Sequence, residues 1–345
     1  MPVERIAQRP VEPYDSARLL VVDRYGDPLA DRLFLDLPEI LSAEDLLVFN
    51  NTRVLPARLY GELESGGAKI EVLLLRELDC VVPTWSAIGK PLKKLRPGRF
   101  VNFGSTLRGV IREGDDLEQG QFSIEFLNFT KQELRQSLKV IGSMPIPPYI
   151  RKGISDEKDL LDYQTHFAEL DGSIAAPTAS LHFTPKLLAS LHSKKIPTEF
   201  VTLHVGPHSF LPLWHDDNPG ESLREPGGEL YRFDLSLYER LQEHRKGGGR
   251  VVAVGTTVVR CLESMHLEYQ MKPERDEFLE TRLFISPGYK FKVVDRVVTN
   301  FHQPATTHLL LVEAFIGRTK LNRVYHHALE NSYRFLSYGD GMIIL

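Results

Sequence analysis

The chain has 345 residues, with 42 Lys and Arg against 46 Asp and Glu, and a formal net charge of −4 at pH 7. Its 42% hydrophobic and 26% charged residues are those of an ordinary globular protein, long enough for two domains. This composition excludes a disordered chain and a globally basic nucleic-acid binder; no run approaches the ~20 apolar residues of a membrane span, and two cysteines without a CxxC, Cys80 and Cys261, exclude a disulfide framework.

The first residues, MPVERIAQRPVEPYD, lack the apolar stretch of a signal peptide, and with so few cysteines a reducing cytoplasm is the expected location. Arg18–Val22 and Asp45–Phe49 are apolar runs of strand length, the second leading into Asn50-Asn-Thr-Arg53. From about residue 59 to 140 the signals change to short strands and turns. Tyr60–Leu63 and Lys69–Leu75 flank Ser65-Gly-Gly67, a hairpin pattern, and Arg99–Phe103, Leu107–Arg112 and Gln121–Phe126 follow. Short strands at even spacing predict a small barrel, with a helix over Thr130–Leu138 leaving it. Gly142–Tyr149, with three prolines, is a stiff connector.

Beyond residue 160 the pattern is strand, loop, helix. A short strand over Gly172–Ala176 leads through small residues to Thr184-Pro185, an N-cap followed by proline at the first helical position. Leu187, Leu188 and Leu191 continue that helix, and Glu199–Val205 is the next strand. Gly247-Gly-Gly249 precedes the strand Arg250–Val254, so it is a turn; phosphate-loop glycines follow their strand. Gly255-Thr-Thr257 opens a helix reaching about Met265, Val293–Thr299 is a strand, and Asn300–Thr307 leads into a helix ending near Phe315. A long helix over Leu321–Phe335 and a strand over Met342–Leu345 complete the chain. The expected fold is α/β: a mainly parallel sheet with helices on both faces, formed by residues 1–58 and 141–345 and interrupted by an inserted β-barrel domain over 59–140.

In such sheets ligands bind outside the carboxyl ends of the strands. Four loops leave those ends: Asn50–Arg53, Ala176–His182, Gly255–Thr257 and Asn300–Thr307. Helix N-termini behind them offer free N–H groups to a carboxylate or phosphate. His182, His204 and His302 lie in or beside this edge and are the neutral-pH acid–base candidates. Asn50, Thr52, Arg53, Thr178, Ser180, Gly255, Thr256, Thr257 and Asn300 are candidate binding groups. No HExxH, Cys/His cluster or paired-Asp motif is present, so no metal site is expected, and no GxSxG marks Ser180 or Ser209 as a nucleophile. His326-His327 falls inside a helix and reads as a packed or solvated face. Lys90, Lys93, Lys94, Arg96 and Arg99 cluster near Trp85; they are either a solvated loop or a phosphate-contacting rim for nucleic acid.

The segments LLVFNNTRVLPARLYG, GGAKIEVLLL, GSMPIPPYIR, DYQTHFAELDGSIAAPTASLHFT, FVTLHVG, RVVAVGTTVVRCLES, VVTNFHQPATTHLLLVEAFIG and YRFLSYGDGMIIL closely resemble the S-adenosylmethionine:tRNA ribosyltransferase-isomerase family of queuosine biosynthesis. The resemblance runs from about residue 6 onward, with the motifs in family order. It implies an α/β domain with an inserted barrel, and transfer of the ribosyl part of S-adenosylmethionine to the aminomethyl group of a 7-deazaguanine at the tRNA wobble position. Adenine and methionine leave and epoxyqueuosine remains, so S-adenosylmethionine is consumed as a substrate and no permanently bound cofactor is expected. The implied partners are tRNA and S-adenosylmethionine, with no membrane and a monomeric chain. Relative to the family, Ser180 replaces a glycine, HVGAGTF reads HVGPHSF over His204–Phe210, and NFHLPxST reads NFHQPATT. The HxMHSE stretch reads SLREPGGE over Ser222–Glu229, leaving Glu229 as a binding candidate. These departures admit a second reading: a divergent paralogue that binds tRNA or an adenosyl ligand without the full reaction. Ser180 is expected to have regular backbone geometry and to narrow the pocket.

Overall fold

A computed structural model describes residues 1–26, 29–114, 120–206, 227–271 and 277–345. Strands β1 (Arg18–Val22), β2 (Leu29–Leu33), β3 (Asp45–Asn50) and β4 (Thr52–Val54) come first, with the short helix α1 (Leu37–Ile40) between β2 and β3. Then follow β5 (Arg58–Leu63), β6 (Lys69–Glu77), β7 (Thr84–Lys90), β8 (Phe100–Phe103), β9 (Leu107–Arg112), β10 (Phe122–Phe126) and helix α2 (Lys131–Ile141). The remainder alternates: α3 (Asp159–Asp162), β11 (Leu170–Ser173), α4 (Pro185–Ser193), β12 (Thr198–Val201), β13 (Glu229–Phe233), α5 (Leu235–Lys246), β14 (Arg250–Val254) and α6 (Thr256–Gln270). β15 (Glu277–Thr281), β16 (Arg296–Asn300), α7 (Thr307–Ile316), α8 (Arg318–Glu330) and β17 (Gly341–Ile344) close the order.

Among the described residues, seven strands form the main sheet in the order β12-β3-β14-β16-β17-β1-β2. The sheet is mixed: β12, β3, β14 and β16 run parallel, β17 is antiparallel to β16 but parallel to β1, and β2 is antiparallel to β1. Alternate residues of each strand go to opposite faces, as the pleat requires. Leu46, Val48, Val251, Ala253 and Val297 enter one core with residues of α5, α6, α7 and α8. Leu47, Phe49, Val252, Val254 and Val298 enter a second core with Leu37 of α1 and Leu187 and Leu191 of α4. Burial on both faces is why these strands are unbroken apolar runs in sequence.

β5 to β10 close into a six-stranded antiparallel barrel, order β10-β7-β6-β5-β8-β9, around a third core that includes Leu59, Val72, Trp85, Ile111 and Ile124. The chain leaves and returns at one place: Arg58 and Ser143 exchange backbone hydrogen bonds of 3.2 and 2.8 Å. Helix α2 is held by a capping box in which Thr130 and Glu133 satisfy each other's backbone N–H.

Several element boundaries differ from the sequence expectation, each for a tertiary reason. The strand expected over Glu199–Val205 ends at Val201, because the chain leaves β3 there and pairs with β13: His204 N–H donates to Leu230 O and Arg232 N–H to Thr202 O. The strand expected from Val293 begins at Arg296, because the N–H groups of Lys292, Val293 and Val294 donate to the buried Glu263 carboxylate of α6. The helix expected to reach Phe335 stops at Glu330, before Ser332 at φ 60°. Among the described residues, no helix is long and apolar enough to cross a membrane.

Candidate active site

Two neighbouring cavities share Val205, and the first lies at the carboxyl edge of the parallel strands. The first holds about 90 Å³. Its walls are the residues that leave β14 and β16, Gly255–Thr257 and Thr299–Thr306, with Thr178 and Ala179 from the loop before α4 and His308 from the first turn of α7. Gly255 turns sharply at φ 103°, a conformation that favours glycine, and becomes the N-cap of α6. Thr306 caps α7, accepting from Leu309 N–H. Two helix N-termini therefore converge on one small space. Ala175–Ala179 line it closely, which accounts for their small side chains.

Within this cavity Thr299 Oγ1 lies 2.8 Å from His302 Nε2, and the His302 ring stacks on His308 with centroids 5.2 Å apart. Burial, reinforced by His308, holds His302 well below the usual histidine range, and burial lowers His308 to about 4. Both imidazoles are neutral at pH 7. Asn300 organises the back wall: its Oδ1 accepts from Thr178 Oγ1 at 3.2 Å, and its Nδ2 donates to Leu336 O at 3.2 Å and faces His182 Nε2 at 3.4 Å. Among the described residues, Thr257 Oγ1 is buried without a hydrogen-bond partner.

The second cavity is a cleft of about 820 Å³ between the barrel and the small β11 and β13–β15 strands. Arg76, Glu77, Trp85 and Ser86 come from the barrel, Arg135 from α2, Asp171 and Gly172 from β11 and its end, and Glu229, Phe278 and Glu280 from the β13–β15 pair. His204 stands in it. Its Nδ1 lies 2.8 Å from Thr52 Oγ1, and its ring lies parallel to Phe278, centroids 5.4 Å apart. Burial lowers the His204 imidazole to about 4, against an opposing pull from Asp171. Gly172 is glycine because the ring covers it: a Cβ there would sit 2.7 Å from His204 Cε1 and Nε2. Arg135 pairs with Glu77 at 2.6 Å and Arg76 with Glu280 at 3.1 Å, the latter joining barrel to β15. Glu229 accepts from Gly206 N–H at 2.9 Å and pairs with Arg260. Among the described residues, Asp171 Oδ1 has a 3.8 Å ion pair to Arg53 and no hydrogen bond.

The expected site residues separate into groups. Thr178, Gly255, Thr256, Thr257, Asn300 and His302 share the small cavity, and His204 and Glu229 share the cleft. His182 lines neither: it is 3% exposed, stacked on Phe34 at 4.1 Å, and lowered to about 4 by burial. Ser180, in a 3-10 turn over Thr178–His182, has regular backbone geometry but does not line the small cavity, so it does not narrow it. Asn50 is spent on the fold, its carboxamide bridging Leu203 N–H and C=O. Thr52 acts on His204, and Arg53 donates to Ala168 O at 2.6 Å. Pro207, His208, Ser209 and Ser222–Pro226 lie outside the described residues. Lys90, Lys93, Lys94 and Arg96 are exposed on the barrel; Lys90 pairs with Glu71 at 3.5 Å, and Arg96 and Arg99 donate to Lys93 O and Lys94 O. At ~3.3 Å per strand residue, Lys90 lies roughly 17 Å along β7 from Trp85 in the cleft.

The cleft residues Arg76, Glu77, Arg135, Asp171, Phe278 and Glu280 were absent from the sequence expectation. Each is an ordinary polar or alternating position in its own strand or helix, and the fold alone brings them together. Among the described residues, no group of three or more His, Cys, Asp or Glu is arranged to hold a metal ion.

A mixed α/β sheet and a closed barrel, with a polar cleft lined by the barrel, α2, β11 and the β13–β15 pair, place the chain among two-part α/β proteins with a cleft beside an inserted barrel. The chain belongs to the family described as "Queuosine biosynthesis protein", whose pattern matches residues 1–344. The S-adenosylmethionine:tRNA ribosyltransferase-isomerase of Phenylobacterium zucineum is 42% identical over 355 aligned positions, covering all of this chain and 97% of that protein. The enzyme of the same name from Desulforamulus reducens is 41% identical over 346 positions, covering all of this chain and 97% of its own length. A crystal structure of S-adenosylmethionine tRNA ribosyltransferase from Thermotoga maritima is 33% identical, with a TM-score of 0.53, and covers all of this chain and 98% of that one.

Proposed function

We propose that the chain transfers and isomerises the ribosyl moiety of S-adenosylmethionine onto 7-aminomethyl-7-deazaguanine at the tRNA wobble position. The products are epoxyqueuosine in the tRNA, adenine and methionine. The observation that carries the reading is full-length identity of 41–42% to relatives named for this reaction, in a chain whose cleft suits it. The cleft's 820 Å³ falls in the range of sites for nucleoside-sized ligands. Its carboxylates, Asp171 above all with an oxygen lacking a hydrogen bond, suit a sulfonium and an aminomethyl group. His204, neutral and oriented by Thr52, is the cleft's acid–base group in this reading, with Asp171 beside it. His302 serves the sheet-edge cavity, and His182 supports Asn300 from behind.

The same reading makes the barrel over 59–140 an insertion in a discontinuous domain of residues 1–58 and 141–345, and Lys90–Arg99 its tRNA-facing rim. The chain acts as a monomer in the cytoplasm, with no cofactor beyond the S-adenosylmethionine it consumes. The test is incubation with S-adenosylmethionine and tRNA carrying the aminomethyl base, followed by mass analysis of the nucleosides. Epoxyqueuosine with equimolar adenine is expected. Adenine without modified tRNA would assign a nucleoside-cleaving activity instead, and tRNA binding without turnover would assign a binding paralogue.

A further inference from the structure

We propose that the sheet-edge cavity is the subsite for an α-amino-acid carboxylate, the methionine end of the sulfonium substrate; the identity of that amino acid rests on the function proposed above. Three observations converge. The N-termini of the 15-residue α6 and the 10-residue α7 both open on the cavity. The cap of α6 is a glycine, so no side chain occupies the first N–H groups of that helix, and these and the dipole favour an anion. Independently, Thr257 Oγ1 is unpartnered in a residue only 7% exposed that lines the same space. A buried hydroxyl without a partner is uncommon, and one beside two helix N-termini is a donor awaiting an acceptor.

Size and charge select the anion. The cavity's 90 Å³ has room for a handful of waters, enough for a carboxylate and its α-carbon but not for a nucleoside. It has no Lys or Arg among its described lining residues, and burial keeps His302 and His308 neutral. A singly charged carboxylate held by amides and hydroxyls fits such walls; a phosphate dianion would lack a counter-charge. Position selects the molecule. Val205 lines both the cavity and the cleft. A substrate with its nucleoside in the cleft reaches the cavity with its amino-acid tail.

The experiment compares binding of S-adenosylmethionine and of its decarboxylated form to the full chain by equilibrium dialysis. The native chain is expected to prefer the carboxylate-bearing form at least tenfold. Thr257→Val, nearly isosteric, should bind S-adenosylmethionine more weakly and lose most of that preference, while Thr257→Ser, which keeps the hydroxyl, should retain it. Equal binding of both forms by the native chain overturns the subsite, as does an undiminished preference in Thr257→Val. The two-ligand comparison needs no variant, so a misfolded Thr257→Val leaves the test intact. Turnover is read separately: epoxyqueuosine formed equally well from both forms would sink the subsite and leave the reaction standing. A tenfold binding preference without any epoxyqueuosine would do the reverse.

Discussion

Gly172→Ala tests the placement of His204 without removing any functional group. The His204 ring lies against the Gly172 backbone on one side and parallel to Phe278 on the other, with Nδ1 2.8 Å from Thr52 Oγ1. The added Cβ would stand 2.7 Å from Cε1 and Nε2, against an ordinary contact of 3.4–4 Å. The ring must retreat by roughly 1 Å, the scale of misplacement that costs on the order of 10²-fold in rate. Such a shift strains the 2.8 Å contact to Thr52 Oγ1 and the stacking on Phe278. Expected is a fall in single-turnover rate of about a hundredfold, approaching that of His204→Ala, with the fold retained at an overpacking cost of roughly 1–3 kcal/mol. The assay is single-turnover formation of epoxyqueuosine, with circular dichroism melting as the fold control. Near-native turnover in Gly172→Ala would refute the reasoning, for it would mean that the imidazole's position in the cleft does not govern the chemistry.

Three further outcomes are expected. Replacing Lys90, Lys93 and Lys94 with Gln should weaken tRNA binding and flatten its salt dependence, each lost phosphate contact changing the log–log slope by roughly 0.7–0.9; an unchanged slope would make the stretch a solvated loop. His182, normally near 6.5, is held at about 4 when folded. Its neutral form is therefore favoured in the native state, so the stability is unaffected above pH 6.5 and falls as pH drops from 6.5 towards 4. The loss from this residue is roughly 3 kcal/mol, which urea titrations of native and His182→Phe proteins across that window should reveal as a flatter profile in the variant. Glu263→Ala should lower the unfolding free energy by roughly 3 kcal/mol, because it strands the buried N–H groups of Val293 and Val294; a denaturant midpoint within error of native would show that water replaces the carboxylate.

What the sequence made legible follows the range of each physical signal. Arg18–Val22, Asp45–Asn50 and Arg250–Val254 are buried on both faces, so their apolar runs announce strands. Thr184-Pro185 announces a helix start because capping is local, and Thr184 does accept from Leu187 N–H. The neighbours of β17 were not legible, since nothing within Gly341–Ile344 specifies a place between β16 and β1. The small cavity was foreseeable from the rule about strand ends. The cleft was not, because Arg76, Arg135, Asp171 and Phe278 are far apart in the chain and meet only where the barrel and α2 face β11 and β15. His182 illustrates the converse: beside a small polar loop it reads as a site group, yet a 3-10 turn carries it inward beneath Phe34.

The place of β17 bears on how the protein is made. β1 and β2 precede the barrel in chain order, but among the described residues they join the main sheet through β17, which follows every other described strand. Until residues 341–344 emerge, β1 and β2 have no neighbour on that side and the Val22 and Leu20 side chains lack part of their core. The barrel, one uninterrupted stretch, has every strand partner as soon as residue 126 is available. Nascent chains should therefore carry a folded barrel before the sheet closes, with the apolar β1 strand waiting for its β17 neighbour; such long-range closure is slow and leaves exposed strand edges. β1 is therefore a segment where chaperone cover would matter during synthesis.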